Sequence, residues 1–152
     1  MAATELDPSA ILTQLGYPTA RVLTRVTGGA DAAIWRVADG GRNYALRVLR
    51  AEQVPIYHAE QWAMRLAAAS GVLVPEVVAA GVWQGRPALL LSWSAGDLLA
   101  DLLAANLDRA AELMVSFGRM QATIHAVLLP TTCRRGLIAG LTGPPSLNWP
   151  LI

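Results

Sequence analysis

The stretch VTGGADAAIWRVADGGRNYALRVLR, residues 26–50, holds two features that could do chemistry. One is the turn Gly28-Gly29-Ala30-Asp31, where two positions without Cβ let another group approach the main chain closely, or simply let a hairpin close. The other is Arg47, a fixed positive charge inside the apolar run YALRVL. Its charge needs something to hold, unless it lies on a solvated strand face. Other reactive side chains offer less. His58 has no second histidine at ligand spacing, and His125, with no serine or cysteine to activate, fits a helix-end histidine. The lone Cys133 excludes an internal disulfide and a cysteine-rich metal site.

The surrounding elements must position these groups. Asp7 before Pro8 is a helix start, Ile11, Leu12 and Leu15 share a face, and Gly16 is a stop, which predicts a short opening helix. Strands are expected over about 21–26, 32–38 and 44–49, joined by TGGAD and by the positive-φ turn DGGRN. Alternation in the third strand puts Ala45, Arg47 and Leu49 on one face and Tyr44, Leu46 and Val48 on the other. From about 55 to 70 the period turns helical, with Ala59, Trp62, Ala63, Leu66 and Ala67 on one face and Gly71 ending it. Glu60 lies beside that stripe. VVAAGVW and RPALLLSW, separated by Gln84-Gly85, form a second hairpin after Pro75. The expected fold is α+β, with a five-stranded antiparallel sheet and one helix between strands three and four.

After Gly96, Asp97 is expected to cap a short helix and Asp108 a longer one. In the latter Ala110, Leu113, Met114, Phe117, Met120, Ile124 and Val127 would bury one stripe. Beyond it, Gly and Pro break every period. The expected division is an N-terminal helical segment over 1–20, a sheet unit over 21–94, helices over 95–128, and an irregular tail over 129–152 that suggests truncation.

Composition narrows the function classes. A chain of 152 residues is long enough for one domain that buries roughly two-thirds of its unfolded surface. Charged residues are only 15%, against a usual share of about 25%, which points to a missing partner surface. Twelve basic against eleven acidic side chains, with no basic stripe, argue against a nucleic-acid partner. Gly96, Asp97 and Asp101 interrupt the most apolar stretch well short of the ~18 residues of a membrane span. The start MAATELDPSA shows no basic region before an apolar core, so the expectation is a cytoplasmic protein without a secretory signal.

The segments VTGGADAAIWRV, YALRVLR, AEQWAMRLAAASGVLVPEVVAAG, GRPALLLSWSAGDLL and FGRMQATIHAV occur in an order that resembles the aminoglycoside phosphotransferase and choline kinase family of kinase-like phosphotransferases. The resemblance runs from about residue 23 to 127 and implies a kinase-like nucleotide-binding small lobe followed by helices of an incomplete large lobe. It implies that Gly28, Gly29, Ala30 and Asp31 cover the phosphates of ATP or GTP with Mg2+, the last as a carboxylate that must point away from them or meet a cation. Arg47 would contact the phosphates and Glu60 would pair with it, with Glu52 and Glu76 as less well placed alternatives. The main chain of Ser92, Trp93 and Ser94 would meet the base, and Trp93 would cover the base or pack between lobes.

The family's catalytic loop, with its aspartate base and metal-binding asparagine, has no counterpart after the long helix, and the tail from Thr131 contains neither Asp nor Glu. No catalytic or metal-binding residue is therefore expected in this chain. Three readings stay open: the nucleotide-holding part of a phosphotransferase acting on a small-molecule hydroxyl, a degenerate nucleotide- or partner-binding module, and an unrelated α+β interaction domain. Self-association through exposed apolar surface is a further expectation.

Overall fold

The computed structural model describes residues 6–27 and 32–127. The chain opens with α1, Pro8–Gln14, whose N-cap Asp7 accepts hydrogen bonds from the N–H groups of Ser9 and Ala10 at 2.9 and 3.2 Å. Gly16, at φ +90°, ends it as the sequence indicated. Five strands follow: β1 Arg21–Val26, β2 Ala32–Asp39, β3 Arg42–Leu49, β4 Val77–Trp83 and β5 Arg86–Ser92. They form one antiparallel sheet in the order β1-β2-β3-β5-β4, and α2, Val54–Ala69, joins β3 to β4.

Strand β3 begins two residues earlier than expected. Gly40 and Gly41 both take positive φ, at 52° and 78°, so they make the whole turn and Asp39 pairs directly with Arg42. Gln84 and Gly85 do the same between β4 and β5, at 46° and 77°.

The sheet is covered on both faces. On one, Ile11 and Leu12 of α1 pack with Trp35, Val37, Leu46, Val48, Ala88 and Leu90. On the other, Tyr57 of α2 packs with Leu49, Leu89 and Leu91, and Ala45, Met64 and Val77 lie against them. Strand β5 is consequently buried at five successive positions, because its neighbours on both sides and the helices on both faces leave no solvated side. The alternation read for β3 holds: Leu46 and Val48 belong to the α1 core, Ala45 and Leu49 to the α2 core.

Four expectations about helices are corrected. The inward face of α2 is not the alanine-rich stripe: Ala59 and Ala63 are exposed, while Tyr57 and Gln61 are buried and Met64 packs inward. Small alanines gain little from burial, and the sheet face beneath carries a charge that calls for the polar side of the helix. The short helix α3, Leu99–Ala105, has Leu98 at its N-cap and no capping side chain, so Asp97 lies one residue too early. Asp108 falls inside a 3-10 turn, Leu107–Arg109, and Arg109 stands at the N-cap of α4, Ala110–His125. Finally, α4 buries no residue: Leu113 and Phe117 are half-buried, and Met114, Met120 and Ile124 of the same stripe are exposed.

Candidate functional site

Arg47 stands in mid-β3, opposite Ile34 of β2 and Leu89 of β5. Its alternation places it on the face covered by α2, and from there its guanidinium donates to a carboxylate oxygen of Glu60. The two side chains are 18% and 19% exposed, so the contact is sheltered from bulk water without being sealed off. A charge-assisted bond in such surroundings is stronger and more directional than a surface ion pair. Glu60 reaches the sheet because α2 turns its polar residues inward; Gln61, next to it, is buried on the same side. Glu52 lies exposed in a 3-10 turn, Ala51–Gln53, and Glu76 lies exposed ahead of β4. Of the three carboxylates considered from sequence, Glu60 makes the contact.

Burial pushes the Tyr57 hydroxyl up from its ordinary value, against the weaker opposing effects of the Gln61 hydrogen bond and the Arg65 charge. It is a neutral member of the α2 core. His58 is exposed, edge-on to Tyr57 with ring centroids 4.9 Å apart, and His125 is the exposed last residue of α4.

The segment leaving β5 is held more tightly than a free recognition loop. Ser92 donates its N–H to Glu76 O at 2.9 Å, while its Oγ accepts the Glu76 N–H at 2.8 Å. Trp93 donates its N–H to Asn43 O at 3.3 Å. Of the main-chain groups of Ser92, Trp93 and Ser94 expected to meet a base, the N–H groups of Ser92 and Trp93 are thus bonded to Glu76 and Asn43. Among the described residues, only the N–H of Ser94 of the three has no such partner.

Gly28, Gly29, Ala30 and Asp31 lie outside the described residues. A cleft of about 500 Å3, lined by Tyr17, Arg42, Tyr44, Glu76 and Trp93 among others, includes neither Arg47 nor Glu60. Tyr17, Tyr44 and Val78, which line it, pack against the α1 core, so it opens behind β5 rather than on the face that carries the ion pair. No group of three or more His, Cys, Asp or Glu that could hold a metal ion occurs among the described residues. No described helix is long and apolar enough to cross a membrane.

One residue escaped the sequence reading. Arg36 of β2 pairs opposite Ala45 and shares a face with Ile34, and its guanidinium carbon lies 4.9 Å from the centroid of the Trp93 ring. The signal was available, since the alternation Ile34, Trp35, Arg36, Val37 sends Trp35 and Val37 to the α1 core and leaves Arg36 on the face of Arg47.

Chemically, the α2 face offers a guanidinium fixed in mid-sheet by a carboxylate, a small residue, Ala45, beside it, and a pinned segment at the end of β5. That arrangement suits the positioning of an anion more than acid-base or nucleophilic work.

Comparison with solved structures gives the same architecture. The chain is similar to aminoglycoside phosphotransferase APH(4)-Ia, with 22% identity and a TM-score of 0.54 over 78% of this chain and 38% of that one. It is similar to a thermostable mutant of that enzyme in ternary complex with AMP-PNP and hygromycin B, with 23% identity and a TM-score of 0.56 over 80% of this chain and 39% of that one. For a further thermostable mutant, in ternary complex with ADP and hygromycin B, identity is 23% and the TM-score 0.53, over 78% and 38% of the two chains. The chain thus spans about two-fifths of the length of these structures. At this identity the likeness shows the fold: an α+β kinase-like small lobe followed by helices. A search of the curated proteins finds no match. The profile of the phosphotransferase enzyme family matches residues 22–141, which removes the reading as an unrelated α+β domain. The chain belongs to the phosphotransferase enzyme family.

Proposed function

We propose that this chain is the nucleotide-holding part of a phosphotransferase that transfers phosphate from ATP or GTP to a hydroxyl of a small molecule of the aminoglycoside or amino-alcohol kind. The observation that carries the reading is the Arg47–Glu60 contact on the α2 face of the sheet. Phosphoryl transfer relies on positioning and charge stabilisation, and a guanidinium held by a carboxylate keeps a fixed charge where phosphate oxygens come to lie. A family neighbour captured with AMP-PNP and hygromycin B supports the nucleotide and the small-molecule acceptor.

In this proposal the turn at Gly28, Gly29, Ala30 and Asp31 covers the phosphates, and the base lies towards Ser92, Trp93 and Ser94. Ser94 supplies the main-chain donor and Trp93 the aromatic surface. Mg2+ would accompany the nucleotide in such a reaction, and among the described residues no group of three or more His, Cys, Asp or Glu that could hold it occurs. The roles proposed for these residues are binding and orientation of the nucleotide, and none of them is assigned a catalytic step. Exposed Leu98, Leu107, Met114 and Met120 on the helices after β5 support self-association when no partner surface covers them.

A nucleotide held on one face and open to water on the other binds weakly, on the order of 5 kcal/mol, or high micromolar. Calorimetric titration of the chain with ATP and GTP, followed by a phosphate-transfer assay with aminoglycoside and amino-alcohol acceptors, tests the reading. Weak nucleotide binding that is lost in Arg47→Ala, without turnover, is the expected result. Binding indifferent to Arg47→Ala would remove the phosphate role, and acceptor-dependent turnover would contradict the confinement of this chain to nucleotide holding.

A further inference from the structure

We propose that Arg36 is a positioning residue for the base end of the nucleotide site, acting through Trp93; the inference rests on the nucleotide reading given above. Arg36 and Arg47 occupy one face of the sheet on adjacent strands, with Ala45 directly opposite Arg36 and two residues before Arg47. From that shared face they diverge. Arg47 goes to Glu60 under α2, and Arg36 goes to the segment leaving β5, where its guanidinium carbon stacks 4.9 Å from the Trp93 ring centroid.

The stack is not a chance surface contact. The Nε of Arg36 is buried and has no hydrogen-bond partner. A long side chain with access to water would ordinarily turn outward to satisfy its five donors, so a buried, unmet Nε means that the indole face and the surrounding packing hold it in place. The contrast within the same sheet is Arg25, an exposed β1 residue 5.8 Å from the Trp35 ring centroid, a looser contact with solvent at hand. No carboxylate forms an ion pair with Arg36 among the described residues, so the aromatic ring is what receives its charge.

The consequence falls on Trp93. Its main chain is tied to β3 through Asn43 O, and its ring is tied to β2 through Arg36. Two strands therefore fix the residue that immediately precedes Ser94, whose N–H remains open to a ligand. Arg47 governs the phosphate end, whereas Arg36 sets the position of the indole and of the Ser94 donor at the base end, without touching the phosphates.

The two ends can be separated by comparing MgATP with inorganic tripolyphosphate, which has phosphates and no base. Titrating both into the wild-type chain, Arg36→Ala, Arg36→Lys, Trp93→Phe and Arg47→Ala, with circular dichroism to verify folding, gives distinct patterns. Arg36→Ala is expected to weaken MgATP by about tenfold, the size of a desolvated cation–π contact, and tripolyphosphate by less than about twofold. Arg36→Lys, which keeps a cation over the ring, recovers part of the loss, Trp93→Phe reproduces the base-selective loss in smaller measure, and Arg47→Ala weakens both ligands. If Arg36→Ala does not fold, Arg36→Lys and Trp93→Phe carry the test with the same selectivity. MgATP affinity unchanged in the Arg36 variants, or equal losses for the two ligands, overturns the proposal while leaving the Arg47 site standing. A wild-type chain that binds neither ligand overturns the nucleotide reading, and this inference with it.

Discussion

The sheet and the helices that follow it use similar apolar residues to opposite effect. In the sheet, Val37, Leu46, Val48, Leu89 and Leu90 are at 0% exposure, sandwiched between α1 and α2. In α3 and α4 no residue is buried, and Leu107 just before α4 stands 78% exposed. Periodicity states which face of an element is apolar, but whether that face is covered depends on a second layer that periodicity cannot supply. The candidate site draws its rigidity from the covered region: Arg47 sits on a strand whose neighbours along the chain are core residues, and Glu60 sits on the helix packed over it. Segments of low burial are the first to open, so positioning chemistry belongs on the sheet.

Truncation is the most forceful way to break this comparison. Leu46→Ala removes a fully buried side chain between α1 and the sheet and is expected to cost about 2–5 kcal/mol, whereas Met114→Ala on α4 should stay within about 0.5 kcal/mol. Urea unfolding of the two variants checks it, and equal losses would show that α4 is packed as tightly as the sheet. Next in size, Glu60→Ala leaves the sheltered guanidinium of Arg47 without its carboxylate. The expected loss is about 1–2 kcal/mol, kept low because both side chains retain some exposure, and it should largely vanish in the Arg47→Leu background in a double-mutant cycle. Asp7→Ala removes the cap of α1 and should cost about 1 kcal/mol, while Asp97→Ala and Asp108→Ala, which cap nothing, should be nearly silent in the same melts.

A pH series sharpens the account of the α2 core. Because burial raises the Tyr57 hydroxyl above its unfolded value, its contribution is fully present below about pH 10 and is lost as pH rises through the folded value. Thermal midpoints between pH 9 and 11 should fall in the wild type and fall less in Tyr57→Phe. Glu112 behaves in the opposite sense: its lowered value, set by the hydrogen bond and charge of Arg109, adds stability only above the unfolded carboxylate value and loses it on acidification. The pair is exposed to solvent, so its contribution is small and Glu112→Gln should leave the melt nearly unchanged.

What could be read from sequence was what depends on near neighbours. Asp7 with Pro8, Gly16, the Gly40-Gly41 turn and Gly71 each act through their own backbone, and each falls where a helix or hairpin must start or stop. Strict alternation in β3 likewise puts Arg47 on the face of Ala45 and Leu49, the one α2 covers. Glu60, beside the apolar stripe, reaches Arg47 as expected, whereas hydrophobicity alone does not favour Gln61 over Ala59 and Ala63 for the buried side of α2. The caps at Asp97 and Asp108 failed because a cap depends on where the chain bends, and here 3-10 geometry and Leu98 set the bend. Arg36 was passed over because a single arginine in a strand is unremarkable until a tryptophan from a distant segment, Trp93, is brought over it.

The central claim is that the covered region, through Arg47 and Glu60, holds the nucleotide, and that the exposed helices do not. Backbone hydrogen exchange of the chain with and without saturating MgATP tests this most directly. Protection is predicted to rise in β3 around Arg47, in the turn of α2 that carries Glu60 and at Ser94, with α4 unchanged. Protection that rises along α4 and leaves β3 and α2 as they were would contradict it.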